Sequence, residues 1–233
     1  MGVAARRPAP ILVRMFHQIR FHSTDGTPLA GLYHPAGDDG GGPGAVVVHG
    51  LGSCKENHAD FGEECARAGI AALALDVRGH GASGGRLDAG AVDDVLAATE
   101  WLAARGHGPL AVRGSSLGGF LALHAAARDP RVRAVVALCP ARPEQLARKT
   151  ETPWPLALPL GPSVARDDGV ARGFWHAHGD EVVPWGSTFA LAQMSPHPRR
   201  LHVAMGGHHR SLQHDPAVLR DTVAFLRAHL SAA

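Results

Sequence analysis

The stretch Gly114-Ser115-Ser116-Leu117-Gly118 pairs a hydroxyl with the small neighbours that a very tight turn demands. A serine on a sharp strand-to-helix turn sits in strained backbone with its Oγ exposed, and the residues two before and two after must be small or the chain collides with itself. Gly114 and Gly118 meet that demand around Ser116. Around Ser115 the same positions hold Arg113 and Leu117, so Ser116 is the candidate nucleophile. A serine needs a base to take its proton, and the base needs an orienting partner. Two later segments carry such groups. His178-Gly179-Asp180-Glu181-Val182-Val183-Pro184 offers the carboxylates of Asp180 and Glu181, and Gly206-Gly207-His208-His209-Arg210 offers two imidazoles. The chemistry in view is acyl transfer through a covalent intermediate on serine.

These groups must be brought together by the elements that precede them. Gln18–His22 and Pro28–Tyr33 flank Asp25-Gly26, a hairpin signal. Short apolar runs follow at Ala45–His49, Ile70–Leu75, Pro109–Arg113, Val132–Leu138, Gly173–His176 and Arg200–Met205, and such runs suit strands buried on both faces. Helices alternate with them. One is expected from Ser53, whose spacing to Glu56 reads as a capping box, to about Ala68. A second carries Val92, Leu96, Thr99 and Leu102 at helical spacing, and a third spans Leu117 to Arg128. Asp215-Pro216 opens the last, with Leu219, Val223, Leu226 and Leu230 on one face. Strands alternating with helices predict an α/β fold with a mostly parallel, doubly wound sheet, whose ligands sit at the carboxyl ends of the strands. Ser116 and the Asp180 and His209 segments all follow strands, in the order serine, acid, histidine. Pro140 to Arg172 carries six prolines and reads as a short cover without a large helix. Within it, Trp154, Leu156, Leu158 and Leu160 either form an apolar lid or close one end of the sheet.

Composition sets the outer bounds. The chain has 233 residues, 45% hydrophobic and 19% charged, which suits one globular domain and not disorder. No run of 18 apolar residues is present, so no membrane insertion is expected. A net charge of +2 is too weak and dispersed for nucleic acid. Three cysteines without CxxC spacing point away from a disulfide framework and toward the reducing cytoplasm. Residues 1–15 read as a disordered lead-in, with the domain at 16–233.

Four motifs together resemble the α/β-hydrolase superfamily over about Gln18 to Leu230. They are Gly114 to Gly118, the His49-Gly50-Leu51-Gly52 loop after a strand, Asp76-Val77-Arg78-Gly79-His80-Gly81-Ala82-Ser83, and the pair Asp180 to Pro184 and Gly206 to His209. The chain looks most like bacterial carboxylesterases and cinnamoyl-esterase-like or serine-aminopeptidase-like hydrolases. The resemblance implies a single-domain fold with an N-terminal hairpin and a short lid insertion over 140–172. It implies Ser116 as nucleophile, Asp180 as acid and His209, rather than His208, as base. It also implies oxyanion donors at the backbone N–H groups of Leu51 and Leu117, and no cofactor. A small-molecule ester with a short to medium acyl group is the expected substrate, with thioesterase, peptidase and acyltransferase chemistry as alternatives on the same residues. His49, Asp76, Arg78, His80 and Ser83 are expected to shape loops. One competing reading comes from His176-Ala177-His178-Gly179-Asp180, which is similar to the start of the metallo-β-lactamase H-x-H-x-D-H signature. Alternating histidines on a strand share a face and suit zinc, yet the last position here is Glu181 and the segment falls late in the chain.

Overall fold

A computed structural model describes residues 16–37, 41–147 and 160–231. In chain order the elements are β1 (His17–His22), β2 (Pro28–His34), β3 (Gly42–Val48), α1 (Ala59–Arg67), β4 (Ala71–Asp76), α2 (Ala91–Ala103), β5 (His107–Ser115), α3 (Leu117–Ala126) and β6 (Val132–Leu138). There follow α4 (Pro143–Ala147), α5 (Leu160–Val164), β7 (Ala171–Ala177), α6 (Trp185–Met194), β8 (Arg199–Ala204) and α7 (Pro216–Leu230). Among the described residues the strands form one eight-stranded sheet in the order β1-β2-β4-β3-β5-β6-β7-β8. The β1–β2 and β2–β4 pairs are antiparallel, and every pair from β4 to β8 is parallel.

Side-chain alternation divides the core into two layers. Val46 and Val48 of β3, Leu73 and Leu75 of β4 and Val135 of β6 face α2, α3, α5 and α6. Ala45 and Val47, Ala72 and Ala74, and Val136 face the opposite way, toward Phe61 of α1 and Leu219, Val223 and Leu226 of α7. Burial on both faces explains why these strands read as unbroken apolar runs rather than as alternation.

One local expectation needs correction. The capping box at Ser53 does not form. A 3₁₀ turn covers Lys55–His58 with Cys54 before it, and α1 begins only at Ala59. The Asp76 carboxylate has captured the Lys55 backbone N–H and its Nζ, both at 2.7 Å, which competes with a helix start there. Helix α6 carries no sequence signal, because only Thr188, Leu191 and Ala192 of its residues are fully buried. The Pro140–Arg172 cover contains two helices of five residues each, α4 and α5. Residues 1–15, Trp154, Leu156 and Leu158 lie outside the described residues.

The strand ends are tied together by buried charge. Asp76 also accepts the Ala82 N–H at 2.9 Å. Arg78 binds Asp94, Asp25 and Asp88 through its guanidinium. Lys55 and Asp76 are both nearly excluded from water, and removing one partner from such a pair costs about 3–5 kcal/mol because the other charge stays buried. The Asp76 carboxylate thus clamps the segment after Leu51 to the loop after β4.

Candidate active site

Ser116 has φ 54 and ψ −114, a conformation that L-residues rarely adopt and that costs on the order of 1–3 kcal/mol unless its surroundings enforce it. They do so through the backbone. The Ser116 N–H donates to Leu138 at 2.9 Å, and its carbonyl accepts from Phe120 and Ala141, each at 3.1 Å. A Cβ on Gly114 would strike the Gly118 backbone, and one on Gly118 would strike the Val48 carbonyl. Strand β5 therefore turns into α3 at this one residue.

The turn leaves two backbone donors beside the hydroxyl. Leu117 is the first residue of α3, and the first N–H groups of a helix have no partner within it. On the other side Gly50 lies within ordinary contact of the turn, since a Cβ there would sit 3.5 Å from Ser116 Cβ. The Gly50–Ser53 turn, closed by Ser53 N–H to Gly50 carbonyl at 3.1 Å, then presents the Leu51 N–H. Neither the Leu51 N–H nor the Ser116 hydroxyl makes a hydrogen bond among the described residues. His49 fastens this loop. Its Nδ1–H donates to the Gly50 carbonyl at 2.8 Å and its Nε2 accepts the Val77 N–H at 3.2 Å. Burial pushes the His49 imidazole down to about 4, so it is neutral and its tautomer follows from its two partners.

The loops after β7 and β8 bring Asp180 and His209 together. Asp180 Oδ1 accepts the N–H groups of Val182 and Val183, both at 2.8 Å, and Oδ2 accepts His209 Nδ1–H at 2.7 Å. Burial alone would raise the Asp180 carboxyl, but the His209 hydrogen bond and those from Val183 and Val182 outweigh it and hold it below the usual carboxylate range. His209 Nε2 is left as the ring's other nitrogen. Glu181 instead accepts the His209 backbone N–H at 3.1 Å. His208 is exposed and folds back on its own loop, its Nδ1 accepting the Arg210 N–H and its carbonyl accepting the Ser211 hydroxyl. The histidine pair 176 and 178 separates, because β7 ends at Ala177 and the shared face ends with it. His178 is exposed against Trp185. His176 is buried, with Thr188 Oγ1 at 2.7 Å and the Val183 carbonyl at 2.9 Å on its two nitrogens. The donor atoms that cluster within 4.8 Å belong to Cys139, His176 and Asp180, so His178 is not part of any such group among the described residues.

Ser116 and His209 line one cavity of about 170 Å³. Leu51, Ala141, Leu146 and Val182 supply its apolar surface, and Ser53, Ser115, Gln145, Arg210 and Gln213 its polar surface. Sequence reasoning misses this polar set. Gln145 and Gln213 sit in short helical turns, at positions with no motif of their own.

The sheet order, the strained serine after β5 and the acid and histidine loops after β7 and β8 define an α/β-hydrolase. A family model described as serine aminopeptidase, S33, matches residues 44–164, and the chain belongs to that family. It is 39% identical over 120 residues to a pimeloyl-[acyl-carrier protein] methyl ester esterase of Chromobacterium violaceum. That match covers 51% of this chain and 43% of the relative's length. Among solved structures, the α/β-hydrolase GrgF from Penicillium sp. sh18 superposes with a TM-score of 0.80 at 20% identity, over 94% of this chain and all of the other. Est1E from Butyrivibrio proteoclasticus, with ferulic acid bound, gives 0.77 at 20% identity over 92% of this chain and 98% of the other. At these identities the two structures speak for the fold.

Burial lowers His34, His58 and His176 as well as His49. Each binds its proton less readily in the fold than in the unfolded chain, where uptake falls near 6.5, so their stabilisation is complete above that pH and is lost as pH falls. Urea unfolding at pH 7 and pH 5 should show a lower unfolding free energy at pH 5, with about 2 kcal/mol of the loss from His49 alone. Equal stability at the two pH values would contradict neutral burial of these rings.

Proposed function

We propose that this protein is a serine esterase that cleaves short to medium acyl esters by a Ser116–His209–Asp180 triad. The observation that carries the reading is the strained Ser116 turn opening on the same cavity as His209, whose Nδ1–H is held by Asp180 at 2.7 Å. Ser116 Oγ attacks the ester carbonyl while His209 Nε2 takes the hydroxyl proton. The carbonyl electron pair moves onto oxygen, where the N–H groups of Leu51 and Leu117 receive it. Donors fixed in advance at a developing oxyanion contribute about 3–4 kcal/mol each. Collapse of this intermediate expels the alcohol, which takes its proton from His209. Water, deprotonated by the same ring, then frees the acid and restores Ser116. Asp180 keeps the imidazole in the tautomer with Nδ1–H and stabilises the imidazolium between these transfers. Ester chemistry is favoured by the relative of Chromobacterium violaceum, a methyl ester esterase. Among the described residues no helix is long and apolar enough to cross a membrane. The free thiols of Cys54, Cys65 and Cys139 support a cytoplasmic location.

His209→Ala should lower kcat by roughly 10³-fold or more with little change in KM, whereas His208→Ala should have a mild effect. Steady-state kinetics on 4-nitrophenyl acetate distinguishes the two, and the opposite ranking would move the base to His208.

The cavity of about 170 Å³ is small beside the roughly 300–1,000 Å³ that encloses a typical ligand. Among the described residues the cover segment adds only helices α4 and α5, five residues each. Each methylene left in water forgoes about 0.8 kcal/mol of burial. In a series of 4-nitrophenyl esters from acetyl to palmitoyl, the specificity constant should peak at short or medium chains. A steady rise to palmitoyl, or a jump in rate above the micelle concentration, would contradict this size limit.

A further inference from the structure

The cavity beside Ser116 holds hydrogen-bond donors that the triad chemistry does not use. Gln213 is only 8% exposed, and it is locked at both ends. Its Oε1 accepts the Ser115 hydroxyl at 3.1 Å, and its backbone carbonyl accepts Arg113 Nη2 at 3.1 Å. Arg113 is fully buried with its guanidinium 4.0 Å above the Phe61 ring. The Gln213 amide nitrogen has no partner among the described residues, and Gln213 lines the cavity. With Oε1 fixed and Nε2 not sealed from solvent, the amide can offer its two N–H groups to a ligand in the cavity.

Arg210 lines the same cavity. It is exposed, and among the described residues its guanidinium forms no ion pair or hydrogen bond. The Glu181 carboxylate is engaged by the His209 backbone N–H. A planar guanidinium and an amide N–H₂ on residues that line one cavity suit a carboxylate, which accepts several charge-assisted hydrogen bonds.

The side of the ester follows from the chemistry. His209 must protonate the departing alcohol oxygen, so the alcohol portion leaves past His209, where Arg210 is the next residue and Gln213 follows in the adjoining turn. We infer that the site selects esters whose alcohol portion carries a carboxylate, bound by Arg210 and Gln213. This rests on the serine esterase reading and specifies its leaving group.

The pair 3-acetoxybenzoate and 3-acetoxybenzamide tests it, since the two differ in charge at nearly constant shape and leaving group. The expected ratio of kcat/KM, anion over amide, is tenfold or more in the wild-type protein, expressed mainly in KM and shrinking with added NaCl. Arg210→Glu should bring the ratio to one or below, Arg210→Lys should keep most of it, and Gln213→Leu should lower it. A wild-type ratio near one, or a ratio unchanged in Arg210→Glu, would overturn the inference. So would a charge preference seen only on the acyl side, with 4-nitrophenyl hemiglutarate against 4-nitrophenyl valerate. In those cases hydrolysis that disappears in Ser116→Ala leaves the esterase reading standing. Hydrolysis of neither compound, or equal hydrolysis by Ser116→Ala, would strike both.

Discussion

A side chain at Gly114 would meet the backbone of Gly118, and a side chain at Gly118 would meet the carbonyl of Val48. Strand β5, helix α3 and the end of β3 thus cross with only glycine between them. This crossing forces the positive φ of Ser116 and aims the start of α3 at the cavity. The Leu117 N–H is left unpaired by the geometry of a helix N-terminus, and the Gly50 turn lies in contact with Ser116. The strained serine and the unpaired N–H beside it are two consequences of one steric constraint.

That constraint acts only if the neighbouring loops hold their shape, and different forces hold each. The Leu51 turn is fixed by a neutral, buried His49 between Gly50 and Val77, and by the Lys55–Asp76 pair. The Asp180 loop is fixed by two backbone N–H groups that fold around its own carboxylate. The His209 loop is tied to Asp180 and Glu181 on one side and, through Gln213, to Arg113 on the other. Because a buried cation without its partner is expensive, the Asp76 and Arg78 clusters resist rearrangement more strongly than surface ion pairs would.

The parts of this arrangement that depend on local chain geometry are legible in the sequence. Gly114 to Gly118 announces its turn because only glycine tolerates the crossing, and the buried parallel strands announce themselves as valine- and alanine-rich runs. The hairpin at Asp25-Gly26 and the Asp215 cap of α7 are local in the same way. Non-local capture is invisible there. Asp76 takes the Lys55 N–H across 21 residues and cancels the capping box expected at Ser53. Helix α6 buries too narrow a face to leave a periodic trace. The zinc-like histidine pattern fails because β7 stops at Ala177, a boundary that no residue type marks. Gln213 enters the cavity by pairing with Ser115, 98 residues earlier in the chain, and no spacing rule reaches that far.

In the proposed mechanism the Ser116 turn presents its hydroxyl between two prepared backbone donors. A crystal structure of the protein after reaction with a methyl phosphonate ester measures this directly, because the phosphonyl oxygen stands where the oxyanion would form. A covalent bond from Ser116 Oγ to phosphorus is expected, with that oxygen about 2.7–3.1 Å from the backbone nitrogens of both Leu51 and Leu117. An adduct on Ser115, or a phosphonyl oxygen turned away from both nitrogens, would contradict it.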